Sequence, residues 1–189
     1  HIGNVGTNSL DHEAGEPVAA GLVIRAPITA PANWRSGQHL NDWLVARKVV
    51  GIAGIDTRRL TRLIRETGMP NGVIAHNSQG AFDLAALKAQ AAGWGGLEGL
   101  DLAKDVTAGQ TYRWDETRWA WGKDYGHQSS PRYHVVVIDY GVKRNILRSI
   151  ASSGCRITVV PATTAAEEIL AHKPDGILLS NGPGDPAAT

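Results

Sequence analysis

The sequence predicts an α/β protein in which an N-terminal mixed β/α domain precedes the first β-α-β-α-β units of a doubly wound parallel sheet. Three observations predict it. Residues 134–138, His-Val-Val-Val-Ile, are too continuously apolar for a half-exposed strand and suit a parallel sheet covered on both faces. Two further apolar runs, 157–160 and 177–179, follow at intervals filled by helix-period segments, a rhythm that calls for right-handed crossovers. The stretch from Lys123 to Pro131 is polar, contains glycine and ends Ser129-Ser130-Pro131, as a linker does. The expected domains are therefore residues 1–122, a linker at 123–132, and residues 133–189.

In the first domain, residues 21–24 read as a strand and 40–46 as a short helix, and 49–53 form another apolar run. Asp56-Thr57 offers a helix N-cap, and the helix it starts places Leu60, Leu63 and Ile64 on one face. Arg58, Arg59, Arg62 and Arg65 decorate the rest, either as a solvated face or as a site for a phosphate or a partner protein. Gly68 closes the helix, and Asn71-Gly72 makes a turn before Val73-Ile74-Ala75. Residues 81–91 form a second amphipathic helix with Leu84 and Leu87 inward. Tyr112, Trp114, Trp119 and Trp121 then crowd a charged stretch; stacking on nucleic-acid bases needs a basic groove that does not accompany them, which favours a packed surface or inter-domain contact.

In the second domain, residues 143–152 form a helix with Ile146, Leu147 and Ile150 on one side, closed by Gly154. Thr164-Ala165-Ala166-Glu167 is a capping-box pattern opening a helix through Ala171, and Pro174-Asp175-Gly176 turns the chain into the third strand.

Composition excludes several functions. An apolar share of 42% and a charged share of 20% in 189 residues describe an ordinary soluble protein with room for a core. Lys plus Arg at 19 against Asp plus Glu at 18 gives no pull toward nucleic acid or an anionic membrane. No apolar run approaches the ~18 residues of a membrane span, so a cytoplasmic location is expected. The single cysteine, Cys155, excludes an internal disulfide and reads as a small packed hydrophobe rather than a nucleophile. No G-x-G-x-x-G follows the first strand of the sheet, and no G-x-x-x-x-G-K-[ST] occurs. The seven histidines are scattered, so no metal site is expected.

In the common strand order 2-1-3-4-5, strands one and three are neighbours and their following loops form the ligand crevice. Those loops are Asp139-Tyr140-Gly141-Val142-Lys143 and Asn181-Gly182-Pro183-Gly184. They are either simple tight turns or an oxyanion-type site in which the N–H beside Gly182 meets a carbonyl oxygen gaining charge. One such donor is worth roughly 3 to 4 kcal/mol of barrier. Acyl transfer also needs a nucleophile and a base, and no Ser or Cys sits on a G-x-S-x-G elbow.

Leu179-Ser180-Asn181-Gly182-Pro183-Gly184-Asp185-Pro186 resembles the glycine loop of class I glutamine amidotransferases, whose fold is a doubly wound α/β sheet. His1-Ile2-Gly3-Asn4-Val5-Gly6-Thr7-Asn8, Ile55-Asp56-Thr57-Arg58-Arg59-Leu60-Thr61-Arg62 and Asp139-Tyr140-Gly141-Val142-Lys143-Arg144-Asn145-Ile146-Leu147-Arg148 are similar to the carbamoyl phosphate synthetase small-subunit family, and residues 101–106 fit it too. Three separated motifs in the right order make the resemblance specific along almost the whole chain; residues 112–130 are its least family-like part. Other amidotransferases, such as anthranilate or guanylate synthesis partners, share the glycine loop but would not carry the first domain.

The resemblance implies hydrolysis of L-glutamine through a cysteine thioester. Ammonia would pass to a large subunit that makes carbamoyl phosphate from bicarbonate and ATP for arginine and pyrimidine synthesis. It implies no cofactor in this subunit, ATP and its metal ion belonging to the large one. Carried over by position, Gly182 and Gly184 bind glutamine through the backbone, Gly182 supplies an oxyanion N–H, and Lys143 is an accessory charge or a brace for the glycine loop. The family's Gly-x-Cys-x-Gly-His-Gln elbow and its His-Pro-Glu are expected beyond Thr189, and its substrate-holding serine before His1. The start at His1, with neither initiator methionine nor signal-peptide pattern, fits a segment of a longer protein. These residues alone are then expected to be inert, and a non-catalytic module that docks on a large synthetase partner is the rival reading.

Overall fold

The computed structural model describes residues 2–15 and 19–189. The chain divides into two compact units, His1–His12 with Glu16–Gly96 and Glu13–Gly15 with Leu97–Thr189.

In the first unit, β1 (Gly21–Val23), α1 (Leu40–Ala46) and β2 (Val50–Ile52) form a small parallel pair with a helix against it, in the register Gly21 to Val50 through Val23 to Ile52. Ile24 and Leu44 are its buried apolar side chains among the described residues. The helix α2 (Thr57–Thr67) starts where Asp56 accepts the Arg59 N–H at 3.0 Å, and Gly68, at φ 84°, ends it. Its arginines point to solvent, yet Leu63 and Ile64 are also 47% and 41% exposed, so the apolar stripe is not sealed. In α3 (Leu84–Gly93), Asp83 caps the Ala86 N–H at 2.9 Å and moves the start three residues past the expected one. Leu84 thereby falls in the first turn and is 67% exposed rather than inward, while Leu87 is half-buried.

The second unit contains α4 (Ala103–Val106), β3 (Tyr112–Trp114), β4 (Glu116–Ala120), β5 (Asp124–His127), β6 (Tyr133–Asp139), α5 (Arg144–Ser152), β7 (Cys155–Pro161), α6 (Ala166–Ala171) and β8 (Gly176–Leu179). Its main sheet has the order β3-β7-β6-β8; β6 pairs parallel with both β7 and β8, and β3 adds an antiparallel edge. The three parallel strands therefore stand in the order 2-1-3. Val137, Leu147, Ala151, Ile157 and Val159 form the core on one face, and Val136, Val160 and Ile169 that on the other. Burial of both Val136 and Val137 is the reason β6 reads as an unbroken apolar run. Gly154, at φ 89°, closes α5 as a left-handed cap.

Two further local expectations are corrected. The stretch 123–132 is not a bare linker: β5 lies inside it and pairs with β4, and the division by contacts falls at Gly96 and Leu97. The cause is packing. Tyr112 and Trp114 alternate inward onto the core, and Glu116 meets the buried Arg148, so residues 112–127 fold with the second unit. The capping box is also absent: α6 has Ala165 at its N-cap position with no side-chain cap bond, while the Thr164 N–H donates to the Pro161 carbonyl at 3.1 Å. Cys155 is half-buried at the first residue of β7.

Candidate functional site

The carboxyl ends of β6 and β8 lie side by side, and their loops meet. Asp139, the last residue of β6, is buried and holds three backbone donors. Its Oδ1 accepts from Gly141 at 2.9 Å and Val142 at 2.7 Å, and its Oδ2 accepts from Ala108 at 2.9 Å. Charge-assisted bonds of this kind fix the Tyr140-Gly141 turn. Gly141 sits at φ 111°, and a Cβ there would lie 2.9 Å from Val106 Cγ2 and 3.3 Å from Pro183 Cδ.

The β8 loop is laced onto that turn. The Ser180 N–H continues the ladder to the Ile138 carbonyl at 3.1 Å. Its hydroxyl accepts the Tyr140 N–H at 3.0 Å and donates to the Asn181 carbonyl at 2.7 Å, and the Asn181 amide donates to the Gly141 carbonyl at 3.3 Å. Gly182 is glycine for lack of space: a Cβ would collide with the Tyr140 carbonyl oxygen. Gly184 is glycine for two reasons, a φ of 91° and a Leu100 carbonyl that a Cβ would approach to 2.5 Å.

These loops line a cavity of about 390 Å³ with Ala103 and Leu179. Its polar surface is main chain together with Tyr140, Ser180, Asn181 and Thr189, and none of its lining residues is a histidine, cysteine, carboxylate or lysine. It can bind and hold charge; it has no nucleophile paired with a base. A larger cavity of about 650 Å³ in the first unit is lined by aliphatic side chains such as Leu22, Ile24 and Leu44, together with His39, Asp42, Lys48 and His76. The smaller cavity is the functional candidate, because the close-packed glycines and the strand ends converge there.

Residues 1–74 match the family described as carbamoyl-phosphate synthase small chain, CPSase domain, and residues 136–189 match glutamine amidotransferase class-I. The carbamoyl phosphate synthase small chain of Ruegeria pomeroyi is 60% identical over 189 residues, which is 100% of this chain and 49% of the relative. The corresponding proteins of Bradyrhizobium diazoefficiens and Caulobacter vibrioides are 59% and 60% identical over 193 residues, covering 49% and 50% of their lengths. The chain is similar along its whole length to carbamoyl phosphate synthase small chains. It spans about half the length of the curated relatives it matches.

Within this chain, the structure brings Gly182 and Gly184 onto one cavity wall, and it leaves Lys143 off it. Lys143 is the exposed N-cap residue of α5. Asp139 and Asp185 lie within the family-like motifs, yet neither receives a role there; both brace the loops that form the wall. An Asp that ends an apolar strand two residues before a glycine is an Asx-turn signal, and it could have singled out Asp139. Asp185 has no such signal: its N–H donates to the Leu100 carbonyl at 3.0 Å, its Oδ2 accepts from Gly99 at 2.9 Å, and its Oδ1 accepts from Ala187 at 2.9 Å. The Gly99 and Ala187 N–H groups hold its carboxyl below the usual carboxylate range. Burial, and then the negative charge of Asp139, push the Tyr112 hydroxyl upward. No cluster of three or more potential metal-binding side chains occurs among the described residues, and no helix among them is long and apolar enough to cross a membrane.

Proposed function

We propose that the protein containing this chain is the glutamine-hydrolysing small subunit of carbamoyl phosphate synthase. One observation carries the reading: the class-I amidotransferase match falls on the strand and loop units whose glycines line the cavity. Glutamine lies along the 181–184 main chain. A cysteine thiolate from outside these residues attacks the carboxamide carbon, the Gly182 N–H supports the resulting oxyanion, and the C–N bond breaks as ammonia takes up a proton. Water then cleaves the thioester to glutamate. The ammonia goes to a large-subunit partner in the cytoplasm, which binds ATP and its metal ion and makes carbamoyl phosphate for arginine and pyrimidine synthesis. No cofactor binds this subunit, and the 189 residues alone are inactive.

The test is ammonia release from glutamine by the full-length protein, alone and with its large-subunit partner. Release is expected, and Gly182→Ala, whose Cβ would collide with the Tyr140 carbonyl oxygen and displace the loop, should lower kcat/KM by ~100-fold. No release in either setting overturns the reading and leaves the docking-module alternative.

A further inference from the structure

We infer that Asp185 is a positioning residue for glutamine hydrolysis, acting as a two-point latch that holds the glycine loop against residues 99–102. This rests on the reading of the site as a glutamine site. The geometry is reciprocal: Asp185 gives its N–H to the Leu100 carbonyl at 3.0 Å and takes the Gly99 N–H on Oδ2 at 2.9 Å. Such a pair fixes both the distance and the rotation of one segment relative to the other.

The latch is needed because of what precedes it. Gly184 passes the 99–102 segment so closely that an added Cβ would lie 2.5 Å from the Leu100 carbonyl oxygen and 2.9 Å from the Leu102 nitrogen. Close approach of two backbones forfeits side-chain packing, so hydrogen bonds must hold them together. On its other flank the loop is already fixed by Ser180 on Tyr140 and Asn181 on Gly141. Asp185 supplies the missing constraint at the far end, and Ala103, just past the latched segment, lines the same cavity. Loosening that end moves Gly182 and Gly184, the groups proposed to contact glutamine, without touching substrate itself. Misplacement by about 1 Å at such a site costs on the order of 100-fold.

The experiment uses the full-length protein with its large-subunit partner. Steady-state glutaminase kinetics are taken well below the melting temperature of each variant. Asp185→Ala should lower kcat/KM by ~10- to 100-fold, largely through a raised KM. Asp185→Asn, which keeps one oxygen for the Gly99 N–H, should recover most of the loss. Ile157→Val, a core substitution remote from the cavity, should leave both constants near wild type. Wild-type kinetics in folded Asp185→Ala, or an equal loss in Ile157→Val, overturns the latch. Amide hydrogen exchange separates this from failure of the activity itself. If the wild type hydrolyses no glutamine, the proposed function fails, and the latch still stands or falls on whether Asp185→Ala removes protection at the Gly99 amide.

Discussion

Asp139 shows how one buried carboxylate sets a turn. It neutralises three N–H groups, one of them on Ala108, 31 residues away, and that distant partner is why its full role was not legible from local sequence. Gly182 and Gly184 were legible, because glycine beside proline after an apolar strand already signals a backbone held close to something. Asp139→Ala should cost about 3 kcal/mol in urea unfolding, since it leaves buried donors unpaired. His134 gives a pH signature. Its ring bonds Thr158 through Nε2 at 2.9 Å and receives Arg156 at Nδ1 at 3.2 Å, and burial followed by the Arg156 charge lowers its pKa. The unfolded chain therefore takes up a proton first. Stability from this group is fully present above the ordinary imidazole value of ~6.5 and falls as pH drops through the lowered folded value. Denaturation midpoints between neutral and mildly acid pH should decline, and His134→Gln should flatten the decline. The opposite sign applies to His127, raised by its hydrogen bond and charge contact with Asp115: what it adds is present below the ordinary value and lost as pH rises through its folded one.

The helix α5 depends on a buried cation. Arg148, only 3% exposed, lies 2.5 Å from Glu116 on β4, 3.7 Å from Glu13, and 4.1 Å over the Tyr125 ring on β5. Glu116→Gln should cost about 2 to 3 kcal/mol, short of a fully buried pair because Glu116 keeps partial exposure. Glu13→Gln, longer and more exposed, should cost less than about 1 kcal/mol by the same unfolding measurement. Strands β6, β7 and β8 and helix α5 were legible because their apolar patterns are local and both sheet faces are covered. The strands β3 to β5 were not: each is short and charged, β3 is a strand through the distant β7, with Val159 opposite Tyr112, and β4 and β5 pair with each other and are tied to α5 by Glu116 on Arg148. The linker expectation failed for that reason.

Across the whole molecule, burial is uneven. Of the buried apolar side chains described, Ile24 and Leu44 belong to the first unit, and the remainder belong to the second. Amide exchange should accordingly be slowest in β6 and β7, and fast in α2 and α3, whose apolar residues stay half-exposed. Equal protection across both units would contradict this. The glycine-walled cavity also bears on how its chemistry can be found. Its binding groups are mostly peptide N–H and C=O, present whatever side chain is attached, so alanine scanning passes over them or, at Gly182 and Gly184, reports a steric clash instead of a lost donor. Atom-level editing of the backbone is the matching tool: an ester in place of the Asn181–Gly182 amide deletes one N–H, adds no volume, and measures that donor by itself.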